Sequence, residues 1–309
     1  MMHNINPKKY PVPGRLNILL LLLLLPDTWM LLWMASHLAW GWALLATFLF
    51  AHFNNAAFSF LHEAVHGIFS RNRLVNEVFG VISAALFPTS FRLQQIAHLG
   101  HHRRNRTDKD LYDYYLPGQA RWQRNFQLYA GNLMGLYWLC IPLSNLIFLL
   151  TPWLYKSRWF IEGPARFLGF EAYIREVASY GVWRIWFECL WAFTYQVTIW
   201  LVLDLNWSGW LLCYGAFALH WSALQYVDHA WSPRDVIEGA WNLKVSRPAC
   251  WLALNYHCHL THHRYPQLPW LYLPRLSEDE SGQPGFWRIY FSLWRGVRPA
   301  PPMGSPAGI

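Results

Sequence analysis

The chain has 309 residues, of which 54% are hydrophobic and only 14% are charged, whereas a typical soluble domain has about 25% charged residues. With 21 tryptophans, a residue type that favours membrane–water interfaces, this composition argues against a soluble domain and predicts an integral membrane protein. The net charge of +8 fits cytoplasmic loops rich in Lys and Arg, and no compact basic helix or known motif predicts a nucleic-acid partner.

Four apolar stretches are about long enough to span a bilayer: residues 16–35, 42–61, 185–203 and 209–227. The dipeptide Pro26-Asp27 interrupts the first stretch and predicts a kink or a polar break. Short turns at 36–41 and 204–208 join the stretches in pairs, and neither turn contains any of the 25 Lys and Arg residues. By the positive-inside rule these turns are external, so both termini are expected in the cytosol.

A further apolar stretch, residues 128–154, has basic residues on both flanks, so it should enter and leave the membrane on the same side. Pro142, Ser144 and Asn145 lie near its middle and suit a break between two short helices. We therefore expect a helical hairpin that dips into the membrane, or a helix that lies on it, and no full crossing.

These elements predict an all-α fold, in which a four-helix membrane bundle carries a cytosolic helical cap. Residues 1–298 are expected to form a single domain. The Pro/Gly-rich tail, residues 299–309, is expected to be disordered.

Three histidine clusters stand out in the polar segments. Residues 62–66 read HEAVH, which matches the H-E-x-x-H signature of zinc peptidases. Residues 98–102 (HLGHH) and 259–263 (HLTHH) both have the spacing H-x-x-H-H. Positions i, i+3 and i+4 share one face of a helix, so the rings of each cluster can point to one place. His229 follows the last predicted span directly.

Each cluster lies near the cytoplasmic end of a predicted span or in a cytosolic segment, so one region beneath the membrane can gather them all. A zinc peptidase site needs two histidines, one further ligand and a glutamate base, which leaves six clustered histidines unused. Two metal ions with open positions account for every cluster, although imidazole ligands alone do not name the metal. The candidate ligands are His62, His66, His98, His101, His102, His229, His259, His262 and His263.

The boxes H-x-x-x-H, H-x-x-H-H and H-x-x-H-H, in the contexts FLHEAVHGIFS, AHLGHHRRNRTDKD and NYHCHLTHHRYPQLPW, resemble the membrane fatty acid desaturase superfamily over about residues 40–275. The resemblance implies that the boxes bind two irons at the cytosolic mouth of a four-helix membrane bundle, with His229 at the position of a further ligand in some members. It also implies O2 as co-substrate and an acyl or isoprenoid lipid as substrate. Hydrogen removal from the lipid chain would give an alkene, and oxygen rebound would give an alcohol.

Polar neighbours of the boxes could orient the ligand rings through hydrogen bonds. The candidates are Glu63, Gln225, Asp228, Asn255 and His257. Asp108 and Asp110 could do the same, but they could equally be ordinary solvated acids or acids paired with basic residues. Glu63 has no peptidase role in this interpretation.

The sequence thus predicts an O2-dependent di-iron membrane oxidase with a cytoplasmic active site, foremost a fatty acyl desaturase. A hydroxylase or ketolase of carotenoids or fatty acids remains open, since HHRYPQLPW also resembles carotenoid-modifying members, as does a fatty acid decarboxylase that forms terminal alkenes. An intramembrane zinc peptidase using HEAVH, or a metal-binding transporter or sensor, is more remote.

Electrons must come from a separate protein, because the chain has no dinucleotide-binding G-x-G-x-x-G after a strand and no C-x-x-C pair among its five cysteines. The expected donor is a ferredoxin, a rubredoxin or a cytochrome with its reductase. The basic segment with Arg103, Arg104 and Arg106 could dock such a donor or an anionic group of the substrate.

Overall fold

The computed structural model describes residue 6 and residues 8–277 and 282–308, and helices dominate them. The long helices are α1 (Gly14–His37), α2 (Trp40–Val65), α3 (Arg73–Leu86), α4 (Phe91–Arg104), α6 (Leu136–Leu150), α10 (Val182–Val202) and α11 (Trp207–Val227). The short ones are α5 (Arg121–Phe126), α7 (Arg158–Phe160), α8 (Arg166–Leu168), α9 (Glu171–Ala178), α12 (Arg247–Leu252), α13 (His259–Arg264), α14 (Leu273–Leu276) and α15 (Phe286–Leu293). π-Helical turns at Gln127–Leu133 and Ile161–Ala165 and 3₁₀ turns at Pro152–Lys156 and Trp270–Tyr272 join some of them.

The four predicted spans coincide with α1, α2, α10 and α11. Helices α1, α2 and α10 are each long and apolar enough to cross a membrane. Helix α11 has 21 residues, as α10 has, and packs against α1 and α2, but its second half carries polar side chains. The predicted all-α membrane fold is confirmed, with three such helices among the described residues, or up to five spans if each bent helix pair counts as one. The count of four spans stays a prediction.

Two pairs of helices are sharply bent. Helices α3 and α4 meet at 94°, and the helical segment 121–133 meets α6 at 83°. By length and composition, each bent pair has the features of a membrane span with a break in it or of a re-entrant loop. The pair α3–α4 was not anticipated as a membrane element from the sequence, in which residues 71–124 contain many Lys and Arg.

The predicted break near Pro142 is wrong, because Pro142 lies inside α6. The bend comes earlier, at Gly135, whose φ of +86° belongs to the left-handed region that glycine tolerates. Asn145 has another role: its side chain accepts a hydrogen bond from Ser90 N (2.8 Å) and donates one to Ile141 O (2.7 Å), which ties α6 to the start of α4.

Two other expectations also need correction. Helix α1 runs unbroken through Pro26 and Asp27, so no polar break forms there. The tail is not free of structure: Arg298–Pro299 pairs in parallel with Tyr114–Tyr115 as a two-stranded sheet. Arg234 N donates to Ser305 O (3.0 Å) further along the tail. Backbone hydrogen bonds thus order the segment that its Pro and Gly content marked as disordered.

One large apolar core holds the bundle together, and smaller cores lie in the cap. The large core joins α1, α2, α3 and α11, with side chains such as Leu21, Phe50, Phe60 and Phe217 that are at most 1% exposed. A second core packs α15 against the end of α11 through Ile289, Leu293 and Val227. The cap is thereby fixed to the end of α11, directly before His229.

Replacing Gly135 by alanine should destabilise the fold. A Cβ at Gly135 would lie 2.9 Å from the backbone of Ala218, and a non-glycine residue in this conformation costs about 1–3 kcal/mol. We expect a lower melting temperature for Gly135→Ala in detergent, measured by thermal unfolding. Gly215→Ala is the matched control, because a Cβ at Gly215 in α11 meets nothing within 4 Å. Equal melting temperatures of the two variants would contradict the account of the bend.

Candidate metal centre

The first histidine box lies at the end of α2. His62 is in its last turn, and His66 follows Val65, the last residue of the helix. The helix ends because Gly67 adopts a φ of +74°. Asn76 of α3 donates to Ala64 O (2.9 Å) and so satisfies one of the carbonyls at the end of the helix. The end of α2, and with it both rings, is therefore held in place by α3.

The second box lies in the last two turns of α4. Ser90 caps this helix by accepting a hydrogen bond from Leu93 N (3.2 Å) and donates to Glu188 of α10 (2.8 Å). The rings of His98 and His102 face the first box: His98 Nε2 lies 2.8 Å from His66 Nε2 and 3.0 Å from His102 Nε2. The bend between α3 and α4 thus brings the second box against the first.

The third box forms the short helix α13, and His229 lies just past α11. His262 Nε2 is 3.0 Å from His102 Nε2. His229 Nε2 lies 3.1 Å from His101 Nε2 and 2.9 Å from His259 Nε2. Residues distant in sequence therefore meet at one end of the bundle.

All nine predicted histidines converge, in two groups. In each group the candidate ligand atoms lie within 4.8 Å of one another. The groups are adjacent, since the His102 and His263 rings stack with centroids 4.3 Å apart. One group contains His62, His66, His98, His102 and His262, and the other contains His101, His229, His259 and His263.

The hydrogen bonds of the outer ring nitrogens fix the tautomers. His101 Nδ1 faces Asp110 Oδ2 (2.6 Å), and His229 Nδ1 faces the carbonyl oxygen of Gly239 (2.8 Å). Both partners accept hydrogen bonds, so each Nδ1 carries a proton, and in the neutral form of either ring Nε2 then presents a lone pair. Two lone pairs that face each other at 3.1 Å repel, and a cation between them removes that repulsion. The arrangement therefore suits a metal ion.

His62 follows the same pattern. The Tyr256 hydroxyl donates to Glu63 Oε1 (3.0 Å), so the contact of His62 Nδ1 with the same hydroxyl oxygen places a proton on Nδ1. His62 Nε2 and His263 Nε2 are buried and have no hydrogen-bond partner in the described part of the chain. Buried polar atoms without a partner are costly, and a bound metal would satisfy them.

Burial keeps the rings of His66, His259 and His263 neutral. It lowers the pKa of His66 and of His259 to about 3 and lowers the pKa of His263 well below its ordinary value. A neutral imidazole is the form that ligates metals, so at neutral pH no proton has to leave these rings before a metal binds.

The acidic candidates differ in their partners. Asp110 bonds to His101, as considered from the sequence, whereas Asp108 pairs with Arg234 (2.7 Å). Asp228 Oδ2 lies 3.4 Å from His259 Nδ1, and burial raises the pKa of Asp228 well above its ordinary value. Asp110 and Asp228 are thus beside the rings, and Asp108 is not.

Glu63 acts behind the site through a residue that the sequence did not single out. It is fully buried, and its Oε1 accepts from Tyr256 OH and from Trp270 N (3.2 Å). Tyr256 in turn contacts His62. The sequence pattern indicated a role for Tyr256 only weakly, because this tyrosine lies 194 residues from His62, the ring that it contacts.

The other predicted neighbours, Gln225, Asn255 and His257, have different surroundings. Gln225 lines three cavities, each of which also touches ligand-candidate histidines. Asn255 donates to Trp270 O (3.3 Å), because it precedes α13 at a φ of +58° and is not part of a helix with His259. His257 lines a cavity of about 120 Å³ together with His62 and His259.

A cavity of about 470 Å³ opens onto the histidines from the side of α4 and α6. Its wall includes His98, His101, His229 and His259. Most of the remaining wall is apolar or aromatic, including Leu93, Ala97, Tyr137, Ile141, Phe170 and Tyr173. Such a lining suits a hydrocarbon chain.

The expected basic docking surface is largely occupied by internal partners. Arg103 and Arg104 both pair with Glu176 (3.1 and 2.5 Å). Arg106 is buried and pairs with Asp113 (2.8 Å), so it is not accessible to a partner protein. The expectation that Arg106 docks a partner is wrong, since its guanidinium holds the loop beside His229 together.

Comparison with known proteins identifies one family. The model of the family described as fatty acid desaturase matches residues 38–294, which include all nine histidines. No curated protein sequence matches the chain.

Asp110→Ala should weaken metal binding, because it removes the acceptor that orients His101. The loss of such a partner typically costs 10–100-fold in metal affinity, so we expect a decrease of about that size. Metal per chain would be measured by mass spectrometry after competition with a chelator. Asp108→Ala is the control, since Asp108 pairs with Arg234. Equal metal retention in both variants would refute the role of Asp110.

Proposed function

Because the chain belongs to the fatty acid desaturase family, we propose that it is an O2-dependent di-iron oxidase of the membrane, and that it acts as a fatty acyl desaturase on a lipid-like chain. Membership of this family supports a lipid oxidoreductase of the desaturase or hydroxylase type. Substrate, reaction and metal are the proposal.

The observation that carries the proposal is the close approach of His101 Nε2 and His229 Nε2, 3.1 Å apart, at the wall of the apolar cavity. It supports a cation where a hydrocarbon chain can approach. Groups of five and four imidazoles exceed the ligand set of one tetrahedral zinc and suit two ions. Iron fits this donor set.

The nine histidines would hold the two irons, with His62, His66, His98, His102 and His262 around one and His101, His229, His259 and His263 around the other. When bound, the irons would supply the O2 activation that hydrogen removal from an unactivated CH2 group requires, which no side chain can supply. The assignment of each histidine as a ligand is part of the proposal.

The protein's own residues orient the rings and the substrate. Asp110, the Gly239 carbonyl and Tyr256 each hold the Nδ1–H of one ring, so the inward nitrogen keeps its lone pair and direction. The cavity wall, with Ile141 and Phe170, excludes water and places the chain beside the histidines. A small displacement of the chain would change which carbon reacts.

Hydroxylation, ketone formation on carotenoids and decarboxylation to terminal alkenes remain alternatives, because they need the same histidines and differ in the placement of the substrate carbon. The zinc peptidase has no support from the geometry. Its base would have to be Glu63, whose Oε1 is bonded to Tyr256 and Trp270 N behind the ring of His62.

We place the metal centre and both termini on the cytoplasmic side. The turns between α1 and α2 and between α10 and α11 carry no Lys or Arg, which supports an external position at the opposite end of the bundle. A separate ferredoxin, rubredoxin or cytochrome would then deliver electrons from the cytosol.

The reaction can be tested by expression in a lipid-rich host with and without O2. We expect a lipid product that has lost two hydrogens, and its absence in a His262→Ala strain, because His262 is fully buried within the first group. Mass spectrometry of extracted fatty acids and terpenoids measures this change. Gain of one oxygen would indicate hydroxylation, and a product formed without O2 would overturn the oxidase.

Filling the apolar cavity should block the substrate without removing metal. Ala97 lines the cavity next to His98, so Ala97→Phe should lower product formation at least about tenfold. Metal per chain should stay at the wild-type value, and Ala97→Val should have an intermediate effect. Full activity of Ala97→Phe would show that the chain does not enter here.

A further inference from the structure

A second cavity adjoins the apolar one. It has a volume of about 600 Å³ and a largely charged and polar wall. Four residues line both cavities: Lys109, Tyr112, Gly169 and Ala172. One elongated molecule could therefore occupy both spaces.

The wall of the second cavity carries more positive than negative charge. Its cations are Lys109, Arg124, Arg166 and Arg175, and its carboxylates are Asp108 and Glu171. Both carboxylates are already paired: Glu171 with Arg166 (2.6 Å) and Arg175 (2.8 Å), and Asp108 with Arg234 (2.7 Å). Neither carboxylate is therefore left to pair with the other two cations of the wall, Lys109 and Arg124.

Arg124 is the unusual group, because it is only 9% exposed. Its guanidinium donates to Tyr114 O (3.2 Å) and to Gln127 Oε1, which are neutral acceptors, and lies over the ring of Tyr112. It forms no ion pair with a carboxylate in the described part of the chain. A buried charge without a counter-charge is costly, so a ligand that brings a negative charge would stabilise it.

Lys109 stands at the junction of the two cavities and is exposed. Among residues 8–277 and 282–308 it, too, has no carboxylate within ion-pair distance. The guanidinium of Arg124 has five N–H donors, of which its bonds to Tyr114 and Gln127 use three. A lysine and a partly free arginine fork are suited to bind a carboxylate or a phosphate.

We propose that the second cavity binds the anionic head group, a carboxylate or a phosphate, of an amphipathic substrate whose hydrocarbon chain lies in the apolar cavity. The inference rests on the proposed function for the fate of the chain, but not for its binding. Such a head-group site would favour acyl chains with a charged head over neutral carotenoids and alkanes. The histidines alone do not distinguish these substrates.

Binding can be measured without turnover. The full-length protein, in nanodiscs of neutral lipid and without O2, would be titrated calorimetrically with four probes: laurate, dodecyl phosphate, dodecanol and inorganic phosphate. We expect laurate or dodecyl phosphate to bind at least tenfold more tightly than dodecanol, and inorganic phosphate to bind more weakly than dodecyl phosphate. Equal affinity for dodecanol would overturn the proposal, and so would equal affinity for inorganic phosphate, since the chain would then contribute nothing.

Charge-neutralising variants test the residues. Lys109→Gln should weaken binding of the anionic probe about tenfold, the size of one charge-assisted hydrogen bond, and leave dodecanol unaffected. Lys156→Gln is the matched control, because Lys156 is exposed and lines neither cavity. Each probe also partitions into the bilayer. The affinity of the variant is therefore compared with that of the wild type for the same probe, so that the contribution of partition cancels. An unchanged affinity in Lys109→Gln would refute its role.

Arg124→Gln should have a larger effect, with Arg121→Gln of the same helix as its control, since Arg121 is exposed and lines neither cavity. If Arg124→Gln fails to fold, Lys109→Gln alone decides. Charge-dependent binding without any oxidised product would refute the oxidase and leave the head-group site standing. Oxidation of a neutral chain that Lys109→Gln does not affect would refute the head-group site and leave the oxidase standing.

Discussion

The convergence of imidazole lone pairs is the constraint on which the rest of the structure depends. The Nε2 atoms of His101 and His229 face each other at 3.1 Å, and with a proton on each Nδ1 this contact is unfavourable for two neutral rings unless a cation lies between them. Each ring is held in that orientation from behind, by the Asp110 carboxylate and by the Gly239 carbonyl. Because these acceptors hold both Nδ1 protons, the two Nε2 atoms are already oriented as a metal ion would require.

The bundle and the cap serve this convergence in different ways. Helix α2 delivers the first box at its end, and the sharp bend between α3 and α4 turns the second box back toward it. Ser90, which caps α4, is bonded to Asn145 of α6 and Glu188 of α10, so the start of α4 is fixed by two neighbouring helices. The cap contributes His229 and the third box. Arg106 and Asp113, which form an ion pair, bond to Ser232 O and Trp231 N just after His229.

The convergence of the eight box histidines could be predicted from the sequence, because their spacing suits common helical faces and their position next to apolar stretches places those faces at one end of the bundle. His229 was selected by its position directly after the last predicted span and by the family resemblance. The residues that orient the rings could not be predicted equally well. Asp108 and Asp110 are two positions apart, and only the path of the loop after α4 decides that one meets His101 and the other meets Arg234. Tyr256 and the Gly239 carbonyl carry no pattern at all.

The errors in the predicted fold have similar causes. Pro142 was expected to break a helix, but the bend lies at Gly135, where the backbone approaches Ala218 too closely for a side chain. Such a close approach between elements is invisible in the local sequence. The tail was expected to be disordered from its Pro and Gly content, yet a few backbone hydrogen bonds to Arg234 and to the strand Tyr114–Tyr115 are enough to order it.

The HEAVH motif shows how far a local signature depends on its surroundings. In a zinc peptidase the glutamate must reach a metal-bound water. Here Glu63 does not line the apolar cavity, and Tyr256 and Trp270 N bond to its Oε1. The same carboxylate therefore has a different contact: through Tyr256 it holds the proton of His62 on Nδ1, and the buried Nε2 has no hydrogen-bond partner in the described part of the chain. The five letters of the motif specify a helix end with two imidazoles, and the contacts from residues 256 and 270 decide what the glutamate does.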